Sequence, residues 1–244
     1  DPVGTGEIEK ARDSGLPITI IPFDVTDEAG AEPLVARVVK DSGRIDALVN
    51  NAGVSMFAAF EDVSEADTRR MFEINFFGPV RLMLAALPYM RKQQFGRIVN
   101  VSSGAGFMPM AWQSTYVATK HAIDGITISL GAEVRRFGIR TSVVSPGVFA
   151  TGIGGKLWPP SRDSGEPWYR EMTESIINDW KTIVTGRDPI AVAQAINECI
   201  HSDTPPTRTF VGKDAQRGAE ARRKLNDDEW AEFLLQPLFK KRPS

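Results

Sequence analysis

Tyr116 and Lys120 stand one helical turn apart in the segment Tyr-Val-Ala-Thr-Lys, which puts both on one face of a helix. A phenol, with a pKa near 10, is a poor base at neutral pH. An ammonium beside it stabilises phenolate and brings the group toward the range where it can give or take a proton. Such a pair suits proton transfer at the oxygen of an alcohol or ketone. The spacing alone fits equally well a surface Tyr stacked on a Lys stem, so neighbouring residues must decide. Ser103 sits thirteen positions before Tyr116, at the end of an apolar run. Asn75 sits inside a helical pattern, away from the caps and turns Asn prefers. His121 and His201 have no acidic or Cys pattern around them, and no metal is expected. Gly4-Thr5-Gly6 has Glu9 where a third glycine is needed and no strand before it, so it reads as a loop.

These side chains need a scaffold. Apolar runs at residues 18–23, 47–50, 98–101, 141–145 and 209–212 predict strands. Apolar spacings of three and four predict helices over 28–41, 64–90, 115–136 and 188–201, with Ser64 and Asp67 as a starting box. Strand alternating with helix predicts an α/β fold: a doubly wound parallel sheet, buried on both faces, with ligands at the carboxyl ends of its strands. One domain is expected over residues 1–244. Residues 152–187 mix Gly154, Gly155, Pro159, Pro160 and Pro167 with Trp158, Trp168 and Trp180, and read as an ordered substrate flap able to move. The tail, residues 213–244, is charge-rich, and its cluster Phe233, Leu234, Leu235, Leu238 and Phe239 is expected to dock on the body or on a neighbouring subunit.

A chain of 244 residues, 42% hydrophobic and 25% charged, can bury the core of one domain. Its net charge of -2 gives no electrostatic reason to bind nucleic acid or an anionic membrane, and a small neutral substrate suits it better. Cys199 is the single cysteine, which fits a reducing, cytoplasmic location. No run of about 18 apolar residues predicts a membrane span. The polar start does not read as a signal peptide.

Five motifs occur in order: Asn50-Asn51-Ala52-Gly53 after a strand, Asn75 in Asn-Phe-Phe-Gly, Ser102-Ser103, Tyr116 with Lys120, and Ser145-Pro146-Gly147 with Thr151. Together they resemble the short-chain dehydrogenase/reductase family, in its steroid- and retinoid-dehydrogenase-like branch, in detail over residues 18–151. The resemblance implies a Rossmann fold and hydride transfer between NAD or NADP and an alcohol or ketone. Tyr116 is then the general acid or base, Lys120 its tuner and a ligand of the nicotinamide ribose. Ser103 holds the substrate oxygen, and Asn75 anchors a water linking Lys120 to solvent. Asn50, Asn51, Ala52 and Gly53 steady the sheet beside the adenosine half, Asp24 and Val25 read the adenine, and Pro146, Gly147, Val148 and Thr151 bind the carboxamide. Asp24 as a helix cap and the glycine segments as plain turns are the bland alternatives. Relatives pair through their two long helices, which implies a homodimer or homotetramer.

The family's opening strand, glycine-rich turn and helix have no counterpart here, and residues 18–23 resemble its third strand. A βαβ unit of roughly 30 residues is therefore expected to lie outside this sequence. The position that separates NAD from NADP falls at or before Asp1, and steroid and retinoid relatives often carry Arg-Asp there, which tilts the expectation toward NADP. Phe107, Met108, Pro109, Met110 and Trp112, with Leu157 and Trp158, predict an apolar pocket for a bulky hydrophobic alcohol or ketone, although they would also serve as packing. Two other readings stand beside this one. The first is a non-catalytic NAD(P)-binding sensor. The second is a nucleotide-sugar epimerase of the extended branch, disfavoured by the short chain after Thr151.

Overall fold

β1 (Ala47–Asn50), β2 (Gly96–Val101), β3 (Ile139–Pro146) and β4 (Arg208–Val211) lie side by side in chain order, all parallel. The computed structural model describes residues 5–149, 157–184 and 188–239. Almost every residue of β2 and β3 is buried, and helices cover both faces of the sheet. On one face, Val35 of α2 (Ala31–Ser42), Met83, Ala86 and Met90 of α4 (Gly78–Gln93) and Ile123 of α5 (Ser114–Val134) close over Ile98 and Ile139. On the other, Ala195 and Cys199 of α7 (Ile190–His201) pack on Val99, Val144 and Val211. The doubly wound α/β arrangement expected from the alternation is the fold observed.

The expected helix over 64–90 is three pieces. α3 (Glu65–Phe72) opens with both arms of a capping box between Ser64 and Asp67. A π turn, Glu73–Phe77, comes next, and α4 begins at Gly78 with a proline in its first turn. A wider turn inserted in a helix rotates the downstream residues about the axis and commonly marks a functional position; here it carries Asn75 into the interior.

Residues 18–23 are not a strand. A strand exists only through its partner, and no described residue pairs with this segment. Gly4-Thr5-Gly6, expected as a loop, also differs: Thr5 and Gly6 begin α1 (Thr5–Asp13), where Glu7 in the first turn and Lys10 and Arg12 in the last complement the helix dipole. Of the segment expected as a flap, Gly154 and Gly155 lie outside the described residues. The rest contributes α6 (Pro167–Val184) and is tied down at several points. Leu157 bridges to Ser55, Arg70 stacks on Trp158 at 4.3 Å, and Ser161 donates to Asp67 from both N (3.1 Å) and Oγ (2.6 Å). The tail forms α8 (Lys213–Lys224) and α9 (Asp227–Phe239), and it docks on the body through buried Trp230, whose Nε1 donates to the Pro109 carbonyl at 3.0 Å. Among the described residues, no helix is long and apolar enough to cross a membrane.

Candidate active site

The carboxyl ends of the parallel strands open into one cavity of about 730 Å³. Asn51, Ala52 and Gly53 line it from beyond β1, Ser103 from beyond β2, Tyr116 and Lys120 from α5, and Pro146, Gly147 and Val148 from the end of β3. Parallel strands deliver their following loops to the same edge, which is why segments far apart in sequence meet there. The rest of the wall is mainly apolar, from Met108, Met110 and Phe57, then Trp180 of α6 and Phe233 and Leu234 of α9, with Ser55, Gln113 and Asp214 as polar members.

Ser103 and Tyr116 face each other within hydrogen-bonding reach, and the hydroxyl pulls the phenol pKa down. Burial acts more strongly in the other direction and pushes Tyr116 up to about 12. Lys120 Nζ sits 5.7 Å from the Tyr116 ring centre and donates to the Val101 carbonyl at 3.1 Å. Burial pulls the lysine down to about 8, opposed by the negative charge of Asp124. At both groups burial thus works against the shift expected from the pairing, favouring neutral phenol and neutral amine.

Asn75 lies behind the cavity wall. Its Nδ2 donates to the Val54 carbonyl (3.0 Å) and to Thr119 Oγ1 (3.1 Å), and its Oδ1 accepts from Val54 N (2.9 Å). Both amide hydrogens are engaged, and the side chain clamps the chain after β1 to α5. A Cβ on Gly53 would lie 3.3 Å from Asn75 Oδ1 and 3.7 Å from Lys120 Nζ, so the glycine lets this layer close up.

Other expected contacts lie elsewhere. Asn50 is buried within the sheet, where its Nδ2 donates to Asn100 Oδ1 at 2.7 Å. Asp24 closes a local turn by accepting from Thr26 N (2.9 Å) and Oγ1 (2.8 Å), and the Val25 carbonyl accepts from Arg81; neither lines the cavity. A short Asp side chain readily bonds its own backbone two residues on, which explains the local use. Thr151 lies outside the described residues. The Val148 N–H donates to Asp214 Oδ2 at 2.8 Å. Of the expected pocket aromatics, Trp112 packs with Met172 and Tyr169, Trp158 lies beneath Arg70, and Phe107 stacks edge-on with Phe210, all away from the cavity. Each histidine ring faces a carbonyl of its own helix, His121 that of Val117 at 3.0 Å and His201 that of Asn197 at 2.9 Å. Sequence reasoning missed Asp124, Arg208 and Asp214; for Asp124 a signal existed, its place one turn past Lys120.

A doubly wound parallel sheet with a Tyr, Lys and Ser set lining a cavity at its carboxyl edge defines the class, a Rossmann-type α/β fold. Residues 6–161 match the family model described as short chain dehydrogenase. The chain belongs to that family of oxidoreductases, in its steroid- and retinoid-dehydrogenase-like kind. It is 34% identical over 200 residues to a 3-ketodihydrosphingosine reductase of Bacteroides thetaiotaomicron, covering 80% of this chain and 73% of that one. It is also 34% identical over 213 residues to retinol dehydrogenase 8 of Bos taurus, covering 84% and 67%. Among solved structures, ElxO with NADP bound superposes with a TM-score of 0.69 at 26% identity, covering 88% of this chain and 86% of that one.

Proposed function

We propose that the protein is an NADP-dependent oxidoreductase that reduces a bulky hydrophobic ketone to a secondary alcohol, or runs the reverse reaction. The observation that carries this reading is the convergence of Ser103, Tyr116 and Lys120 on one cavity with the Asn51–Gly53 and Pro146–Val148 segments. NADP is favoured because ElxO, similar in structure, is described with NADP bound. The cavity segments fit a dinucleotide: small residues allow close approach at Ala52 and Gly53, and Lys120 presents an ammonium to hydroxyls. Asp214 on the Val148 N–H competes with the carboxamide contact expected there. When bound, the cofactor supplies hydride to the carbonyl carbon.

Ser103 donates a hydrogen bond to the carbonyl oxygen as negative charge builds on it. Tyr116, held neutral by burial, gives that oxygen its proton. Lys120 then stabilises the phenolate left behind. The aromatic and aliphatic wall from α6 and α9 excludes water and receives the hydrophobic part of the substrate. The ketosphingoid and retinoid substrates in the relatives' names suit such a wall. We further assign a cytoplasmic location, supported by the buried free thiol of Cys199, and a homodimer or homotetramer, supported by exposed Leu84 on α4 and Ile128 on α5. A sensor without turnover is not favoured, because it needs no aligned proton donor.

The test is a fluorescence titration of the purified protein with NADPH and NADH, followed by a panel of hydrophobic ketones and alcohols. Tighter NADPH binding and turnover abolished by Tyr116→Phe are expected. Binding without turnover on any member of the panel would instead establish the sensor.

A further inference from the structure

Asp124 is a buried carboxylate that hydride transfer leaves without a role. It lies on α5 one turn beyond Lys120 and two beyond Tyr116, only 3% exposed. Its Oδ2 is ion-paired with Arg208 Nη1, and the guanidinium lies over the rings of Phe107 (5.5 Å) and Phe210 (5.6 Å). The same Nη1 donates to Ser145 Oγ at 3.1 Å. Burial raises the Asp124 pKa, and the facing Ser102 hydroxyl and the Arg208 charge oppose it, although neither Ser102 Oγ nor Asp124 Oδ1 has a partner in closed hydrogen-bond geometry. Gly106 leaves room for this cluster: a Cβ there would come within 2.4 Å of Asp124 Oδ2 and 2.6 Å of Ser102 Oγ.

The contacts are strategic. Ser102 immediately precedes Ser103, Ser145 immediately precedes Pro146-Gly147, and Lys120 is the neighbouring turn of the same helix. One buried ion pair thus reaches the base of three separate parts of the cavity. An ion pair in the interior gains little net stability over apolar packing, so its presence calls for another explanation.

We propose that Asp124, paired with Arg208, is a positioning residue of the acid–base site: its charge keeps Lys120 an ammonium, and the pair fixes the segments carrying Ser103 and Pro146. The proposal rests on the oxidoreductase reading of the same cavity. Around Lys120, α5 contributes Asp124 and Tyr116, β2 the Val101 carbonyl and the π turn the Asn75 amide, while Arg208 of β4 is engaged by Asp124. Asp124 is the charge opposing the desolvation that pulls Lys120 to about 8.

The test measures the pH dependence of Lys120 acetylation by acetic anhydride in cofactor-free protein, read by peptide mass spectrometry, beside the pH profile of ketone reduction. Neutral amine reacts, so the labelling midpoint reports the lysine pKa. In Asp124→Asn the midpoint and the alkaline limb of activity should both move down by about one pH unit, the size expected on losing a nearby opposite charge. Asp124→Glu should return them toward wild type. If Arg208, left unpaired, prevents Asp124→Asn from folding, the double variant Asp124→Asn/Arg208→Gln removes both charges and should show the same shift. An unmoved midpoint in a folded neutral variant, whatever its activity, overturns the proposal, since a purely structural residue predicts that result. Wild-type protein that labels as expected but turns over no ketone would overturn the oxidoreductase reading alone.

Discussion

Asn50 and Asn100 stand opposite each other in the β1–β2 register, and Asn50 Nδ2 donates to Asn100 Oδ1 at 2.7 Å. Asn100 in turn donates to Thr127 Oγ1 at 2.7 Å, so one buried polar chain ties two strands to α5. The bond sets the level at which β1 and β2 end, and therefore the height of Asn51–Gly53 relative to Ser103. Asn100→Ala strands the Asn50 amide and removes the donor to Thr127 Oγ1, whose hydroxyl still donates to the Ile123 carbonyl. We expect a loss of about 1–3 kcal/mol in urea unfolding, the cost of leaving buried polar groups unpaired. An unchanged midpoint would show that the register needs no such peg.

Tyr116→Phe removes the phenol hydroxyl and keeps the ring that packs with Val54, Met56 and Met71. Ketone reduction should fall by about 10²- to 10⁴-fold, while NADPH affinity and melting temperature stay close to wild type. Stopped-flow single turnovers separate this loss of chemistry from slow product release. Retention of wild-type hydride transfer would remove Tyr116 from the proton-transfer role.

How much of the fold and site was legible in the sequence depends on the range of the interactions involved. Tyr116 with Lys120 is a local helical pattern, and Ser64 with Asp67 a local cap, so both could be read directly. The parallel sheet could be read because short apolar stretches, such as Ile98-Val99 and Val143-Val144, alternate with helical patterns. Residues 18–23 misled, since an apolar run does not say whether a neighbour exists to pair with it. Asp24 misled because an Asp after such a run serves a turn as readily as a ligand. Arg208 and Asp214 were invisible for a different reason: each acts on a residue more than fifty positions away, Asp124 and Val148 respectively. The same distance hid Trp180 and Phe233 from the pocket, because only the folded chain brings α6 and α9 over it.

Lys120 gives stability a pH dependence with a defined sign. Its folded pKa, about 8, lies below the ordinary lysine value of 10.5. Between those values the unfolded chain binds more protons than the folded one, so stability rises with pH across that window. Below about 8 the cost of the buried charge is fully present. Tyr116 acts oppositely, from its ordinary value of 10 up to about 12, where the folded chain holds the extra proton and stability falls. Lys120→Met should therefore be more stable than wild type at pH 7, by about 1–3 kcal/mol, and this advantage should shrink by about pH 9.5. Activity should be lost in the same variant. Urea titrations at the two pH values decide it; an advantage that grows with pH would show that Lys120 is not held near 8.

Phe233 tests what the tail contributes. It projects from α9 into the cavity beside Leu234 and stacks on Trp230 at 5.1 Å, whose indole anchors the helix through Pro109. Phe233 itself is 43% exposed, so truncating it removes cavity wall without opening the core. Apolar contact with a substrate is worth about 1–3 kcal/mol per group removed, or roughly 10- to 200-fold in kcat/KM. Phe233→Ala should accordingly lower kcat/KM for bulky hydrophobic ketones by at least about 10-fold, acting mainly through KM. Small ketones, which occupy only the end near Ser103 and Tyr116, should be converted almost as before. Equal losses for large and small substrates would place Phe233 in support of the fold instead of in recognition, and would move the choice of substrate to Met108, Met110 and Trp180 elsewhere in the cavity wall.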